Sequence, residues 1–82
     1  MERSEIFNKT VALVKPFCKN EEGLKNVSES SAFLTDLGVN SARLVDIVLD
    51  IEDEFNIAID DEAADKIRTV GDAVNLISSK LG

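Results

Sequence analysis

The sequence predicts an all-α fold: a small four-helix bundle of three longer helices and a short third one, with a long loop between the first two. Three observations support it. Apolar residues recur at helical spacing in three separate stretches, no stretch sustains the period-2 alternation of a half-buried strand, and cap-forming residues stand where the later stretches begin. Residues 1–82 are read as a single domain. A chain of this length buries roughly 60–65% of its unfolded surface, so the core is small.

The first helix is predicted from Ser4 to Val14, with Ile6, Thr10, Leu13 and Phe17 on one face and Val14 beside Leu13. Pro16 lacks a backbone donor and restricts Lys15, so the helix stops or kinks there. From Phe17 to Asp36 the chain is polar and turn-prone, interrupted by Val27, Phe33 and Leu34, with Leu37 just beyond. It reads as a long loop pinned by a few apolar anchors, and loops of that length in small domains are more often functional than idle.

The second helix, Ser41 to about Glu54, has the clearest pattern: Leu44, Ile47, Val48, Ile51 and Phe55 form a core-facing stripe, with Asp46, Asp50, Asp53 and Glu54 largely off it. Asn56, tolerant of left-handed backbone, is the expected stop. Asp60 is a good N-cap for a third helix of only about two turns, marginal without packing. Thr69 and Asp72 form a variant capping box for the last helix, whose stripe is Val70, Ala73, Val74, Ile77 and Leu81.

Composition narrows the function. No apolar run reaches membrane-spanning length, and Met1–Glu5 lacks the basic start of a signal peptide. Cys18 is the only cysteine, which excludes an internal disulfide and fits a reducing, cytoplasmic setting. With no histidine the chain lacks the usual general base and the commonest metal ligand, which argues against a hydrolase or metalloenzyme. The net charge of −7 is unevenly spread: residues 1–35 balance, residues 36–65 carry ten acids against Arg43 alone, and residues 66–82 carry a small positive excess. Such a field repels nucleic acid and anionic membranes and attracts basic protein surfaces. Asp60, Asp61, Glu62 and Asp65 lack the spacing and the glycine of an EF-hand calcium loop, so no metal site is expected.

The most informative segment is Leu37-Gly38-Val39-Asn40-Ser41. It is a tight turn that delivers a serine to the start of an acidic helix, where the positive end of the helix dipole suits an attached anionic group. Asn-Ser before a helix is also an ordinary N-cap, and the dipeptide alone does not separate the two roles.

Together with Ala32-Phe33-Leu34-Thr35-Asp36 upstream, the run Leu44 to Phe55, and Ile59 to Val70 downstream, this segment resembles the modification loop and the second and third helices of acyl carrier proteins. The likeness runs from about residue 32 to 77. It implies a non-catalytic carrier in which Ser41 receives the 4′-phosphopantetheine of coenzyme A from a phosphopantetheinyl transferase. The arm then holds acyl groups as thioesters and passes them between enzymes of fatty-acid or related acyl biosynthesis. It also implies a monomer. Asp36, Asn40, Ala42, Arg43, Asp46, Asp50, Glu52, Asp53, Asp61 and Glu62 would meet basic patches on those enzymes, and Phe33, Ile51, Ile59, Ala64 and Ile67 would line an acyl pocket.

The chain departs from the family at its centre. Asn40-Ser41-Ala42 stands where the family usually has Asp-Ser-Leu, and Arg43 puts a cation in the first turn. These departures leave open whether this is the general fatty-acid carrier or a dedicated one. Two other readings compete: a peptidyl or aryl carrier of nonribosomal assembly using the same serine, and an unmodified acidic adaptor.

Overall fold

Apolar spacing and local caps together determine where each helix of the computed structural model begins and ends; the structure describes residues 1–81. Helix α1 spans Arg3–Val14 and buries Ile6, Thr10 and Val14, one i, i+4, i+8 row. Leu13 and Phe17, expected on that stripe, are half-buried at its edge. The buried Thr10 hydroxyl is satisfied by donating to the Ile6 carbonyl at 2.7 Å. At Pro16 the chain tightens into a single 3₁₀ turn, Lys15–Phe17, rather than breaking off.

The long connection contains one element the sequence did not suggest, a short helix α2 (Glu21–Lys25). Five residues are too few to display a period, and tertiary contacts hold it. Asn20 caps it by accepting the Gly23 N–H at 3.1 Å and donates its own side-chain N–H to the Asp36 carbonyl at 3.0 Å. Gly23 is obligatory at this contact, because a Cβ there would lie 1.9 Å from the Asp36 oxygen. The rest of the loop is stitched down. Phe33 N–H donates to the Arg68 carbonyl, while Val70 N–H and Gly71 N–H donate to the Ser31 and Glu29 carbonyls. Phe33, Leu37 and Val39 are fully buried anchors.

Helix α3 (Leu44–Phe55) ends at Asn56, which adopts the left-handed conformation with φ 53°. Helix α4 (Asp61–Asp65) is capped by Asp60, whose carboxylate accepts the Ala63 N–H at 2.8 Å. Helix α5 (Val70–Leu81) opens on the expected reciprocal cap: Asp72 N–H donates to the Thr69 hydroxyl, and the Asp72 carboxylate accepts Thr69 N–H and Arg68 N–H, all at 3.1 Å. Helix α1 packs chiefly on α5 and also on α3. One core gathers Ile6 and Val14 of α1, Ile47, Ile51 and Phe55 of α3, and Val70, Ala73, Val74 and Ile77 of α5, closed by Phe33, Leu37 and Val39. The bundle is therefore the predicted all-α one with α2 added, and no strand forms among the described residues.

Candidate functional site

Gly38 makes the turn toward Ser41 possible. Its φ of +68° lies in the region that favours glycine. Asn40 then stays extended and accepts twice: its carbonyl takes the Arg43 N–H at 2.8 Å and its side-chain oxygen takes the Ala42 N–H at 2.9 Å. These short-range bonds wind Ser41–Arg43 into a 3₁₀ turn, so the α-helix proper starts at Leu44 rather than at Ser41 as the stripe suggested. Ser41 is exposed, and the Asn40 side chain does the capping, which leaves the serine hydroxyl out of that role.

Beside Ser41 opens a cavity of about 590 Å³, a size typical of small-molecule sites. Its walls come from the 32–35 segment, α3, the α3–α4 junction, α4 and the turn after α4. Phe33, Ile59, Ala64 and Ile67 line it together with Ser41, Leu44 and Val48. Ile51 does not. It is completely buried in the Ile47–Ile51–Phe55 row facing the core, whereas the cavity lies round the helix at Leu44, Val48 and Glu52.

The cavity lip carries features that sequence reasoning missed. Leu34, Val45 and Leu49 are large apolar side chains that stay 47%, 65% and 53% exposed, and all three border the opening. The available signal was that Val45 and Leu49 are apolar yet lie off the core stripe.

The acids expected to meet partners are not equivalent. Asp53, Asp61 and Glu62 are exposed, Asp50 is half-buried, and Asp46 pairs with Arg43 at 3.1 Å. Asp36 is exposed but its carboxylate accepts the Ala32 N–H at 2.7 Å, closing the turn that positions Phe33. The Glu52 carboxylate is likewise occupied, by the Ile59 N–H at 2.9 Å. Far from this face, the Arg3 guanidinium forks onto Glu29 and holds its carboxyl below the usual carboxylate range. Burial pushes the Cys18 thiol up, toward the unreactive neutral form. Among the described residues no group of acids or cysteine is arranged to hold a metal ion.

An exposed serine at a helix start, with an apolar cavity beside it and no histidine in the chain to activate it, suits a residue modified by another protein rather than a catalytic nucleophile. Residues 13–77 match the family model described as a phosphopantetheine attachment site. Over 80 residues, 98% of this chain and 96% of the other, the sequence is 41% identical to acyl carrier protein of Thermotoga maritima.

The chain belongs to the acyl carrier protein family.

It is 42% identical to acyl carrier protein of Lactobacillus acidophilus across the full length of both. A solved structure of acyl carrier protein from Enterococcus faecalis superposes with a TM-score of 0.79 at 35% identity, covering 98% of this chain and 99% of that one. Acyl carrier proteins are carriers, not catalysts, and bear a covalently attached 4′-phosphopantetheine. The residues of this carrier fit that group: an exposed hydroxyl for the phosphodiester, and an apolar cavity in reach of it. No described helix is long and apolar enough to cross a membrane.

Proposed function

We propose that Ser41 is the attachment residue of this acyl carrier. The observation that carries the reading is the exposed Ser41 beside the 590 Å³ apolar cavity, on a turn whose capping is done by Asn40. When bound, the arm supplies the thiol that holds the acyl group as a thioester. The chain's own residues do the rest. Gly38 and Asn40 hold Ser41 at the surface, and the base that takes its proton comes from the phosphopantetheinyl transferase, since the chain has no histidine. Phe33, Leu44, Val48, Ile59, Ala64 and Ile67 shelter the acyl chain from water.

Acyl-transferring and acyl-elongating enzymes dock on the face around Ser41. Leu34, Val45 and Leu49 provide apolar contact, and Asp46, Asp50, Asp53, Asp61 and Glu62 provide the charge that basic patches recognise, giving fast, salt-sensitive contacts. Ala42 and Arg43 make this face selective: the one removes an apolar contact, and the other places a cation beside Asp46 that partly offsets its charge. The carrier works as a monomer in the cytoplasm, a setting in which a single half-buried thiol stays reduced.

Incubation of the apo protein with coenzyme A and a broad-specificity phosphopantetheinyl transferase is expected to add one phosphopantetheine by mass. Ser41→Ala accepts none while keeping its helical circular dichroism. Modification that persists in Ser41→Ala overturns the assignment.

A further inference from the structure

The wall of the cavity formed by α4 is anchored at each end by a buried isoleucine, Ile59 before the helix and Ile67 after it, and the two ends differ in their backbone ties. Its far end is rigid: Ile67 is buried, Arg68 holds Phe33 through its carbonyl, and the Thr69–Asp72 cap follows immediately. Helix α4 itself has no buried residue, and a second cleft of about 410 Å³ lies behind it, sharing Ile67 with the first. Its near end is held across the α3–α4 turn by Glu52. The Glu52 carbonyl accepts both Asn56 N–H and Ile57 N–H, and its carboxylate accepts Ile59 N–H at 2.9 Å. Both Glu52 and Ile59 line the cavity.

We propose that Glu52 is a positioning residue for the acyl cavity: its carboxylate latches Ile59 and so sets how far α4 stands from α3, and with it the length of acyl chain the cavity accepts. The claim rests on the carrier function assigned above. Free space lies behind α4 and the fixed point lies at Ile67, so releasing the Ile59 N–H lets the near end of α4 swing outward and deepens the cavity. The unlatched cavity therefore favours longer chains. Glu52→Gln keeps an oxygen acceptor and loses only the charge; Glu52→Ala loses the acceptor.

Amide hydrogen exchange on the apo protein and thermal unfolding of the phosphopantetheinylated protein carrying saturated acyl chains of six to fourteen carbons test the claim together. A hydrogen bond to a charged acceptor is worth enough to slow local opening by about tenfold or more. In Glu52→Ala, exchange at Ile59 and through α4 should accelerate by about that factor while Ile47 and Val74 keep their wild-type rates. The chain length giving the largest rise in Tm should move up by two carbons or more, while Glu52→Gln, with a neutral acceptor, should keep the wild-type length profile and accelerate exchange less than Glu52→Ala. Uniform acceleration across the core, no acceleration at Ile59, or an unchanged length profile in a normally loaded Glu52→Ala overturns the claim. Failure of the wild type to take up the arm overturns the carrier reading and the length claim together.

Discussion

Asn40 caps the turn that carries Ser41, the proposed attachment residue, so its replacement has a calculable effect. The side chain has one structural task here, accepting the Ala42 N–H at 2.9 Å, while its carbonyl bond to Arg43 belongs to the backbone and survives substitution. Loss of an N-cap acceptor costs about 0.5–2 kcal/mol. Asn40 is exposed, so water re-solvates the freed amide and the lower half of that range applies: Asn40→Ala should cost about 1 kcal/mol. For a domain of this size that corresponds to a fall in Tm of about 4–8 °C. Asn40→Asp retains the acceptor. It gains about 0.3–1 kcal/mol from a negative charge at the helix start but adds to the strongly acidic 36–65 region, so its Tm should stay close to wild type. Thermal denaturation followed by circular dichroism, at low and high salt, reads both variants. An Asn40→Ala Tm within a degree of wild type, or an Asn40→Asp protein as unstable as Asn40→Ala, refutes the capping account.

Three further outcomes are expected. Because ten acids crowd residues 36–65, added salt or millimolar Mg²⁺ should raise Tm while salt weakens binding to a basic partner enzyme, and Asp46→Asn/Asp50→Asn should weaken docking without unfolding; indifference of both Tm and affinity to salt counts against this. An Ala42→Leu/Arg43→Asp double variant should be loaded about tenfold faster than wild type by a malonyl transferase of fatty-acid synthesis, since one hot-spot contact is worth a decade or more; equal initial rates would remove selectivity from these two residues. Arg3 holds the Glu29 carboxyl below its ordinary range, so the pair's contribution is complete above the ordinary carboxylate pKa and is lost as falling pH protonates the folded carboxyl. The stability gap between wild type and Glu29→Gln should therefore close in acid, and a gap that widens as pH falls would contradict the pairing.

The parts of the fold legible in the sequence are those whose cause is local. The stripes of α3 and α5 span three turns each, long enough for a period to show, and the Asn56 stop and the Thr69–Asp72 cap need only neighbours in the chain. Helix α2 was invisible because its cause lies thirteen residues away, in the Asp36 carbonyl pressed against Gly23. Asp36 and Glu52 show the same limit within the site. Composition counts them as two more negative charges facing solvent, but each carboxylate is turned onto a backbone amide, of Ala32 and Ile59 respectively. Ser41 and its turn were legible as a motif, but the 3₁₀ winding that moves the helix start to Leu44 depends on the Arg43 N–H choosing the Asn40 carbonyl.

Helix α3 explains why hydropathy reads the bundle more easily than the site. Going round its circumference, Ile47, Ile51 and Phe55 face the core, Leu44, Val48 and Glu52 face the cavity, Val45 and Leu49 stand at the lip, and Asp46, Asp50 and Asp53 face the remaining side. Apart from Glu52, the first two arcs carry the same aliphatic chemistry, so a single apolar stripe takes in Leu44 and Val48 with the core row. Only the packing distinguishes a side chain that meets another side chain from one that meets open space. The apolar lip fits the proposed function: a cavity that admits a hydrocarbon chain from the surface needs apolar groups at its mouth, exposed to water in the free protein. Val45 and Leu49 therefore do not add to the core of the free protein. In the proposed docking, their burial adds a short-range attraction to the long-range one from the neighbouring acids. Replacing Val45 and Leu49 by Ser should leave Tm within a few degrees of wild type and weaken binding to a partner enzyme by tenfold or more at any salt concentration. A comparable loss of Tm would instead place these two side chains among those that hold the fold.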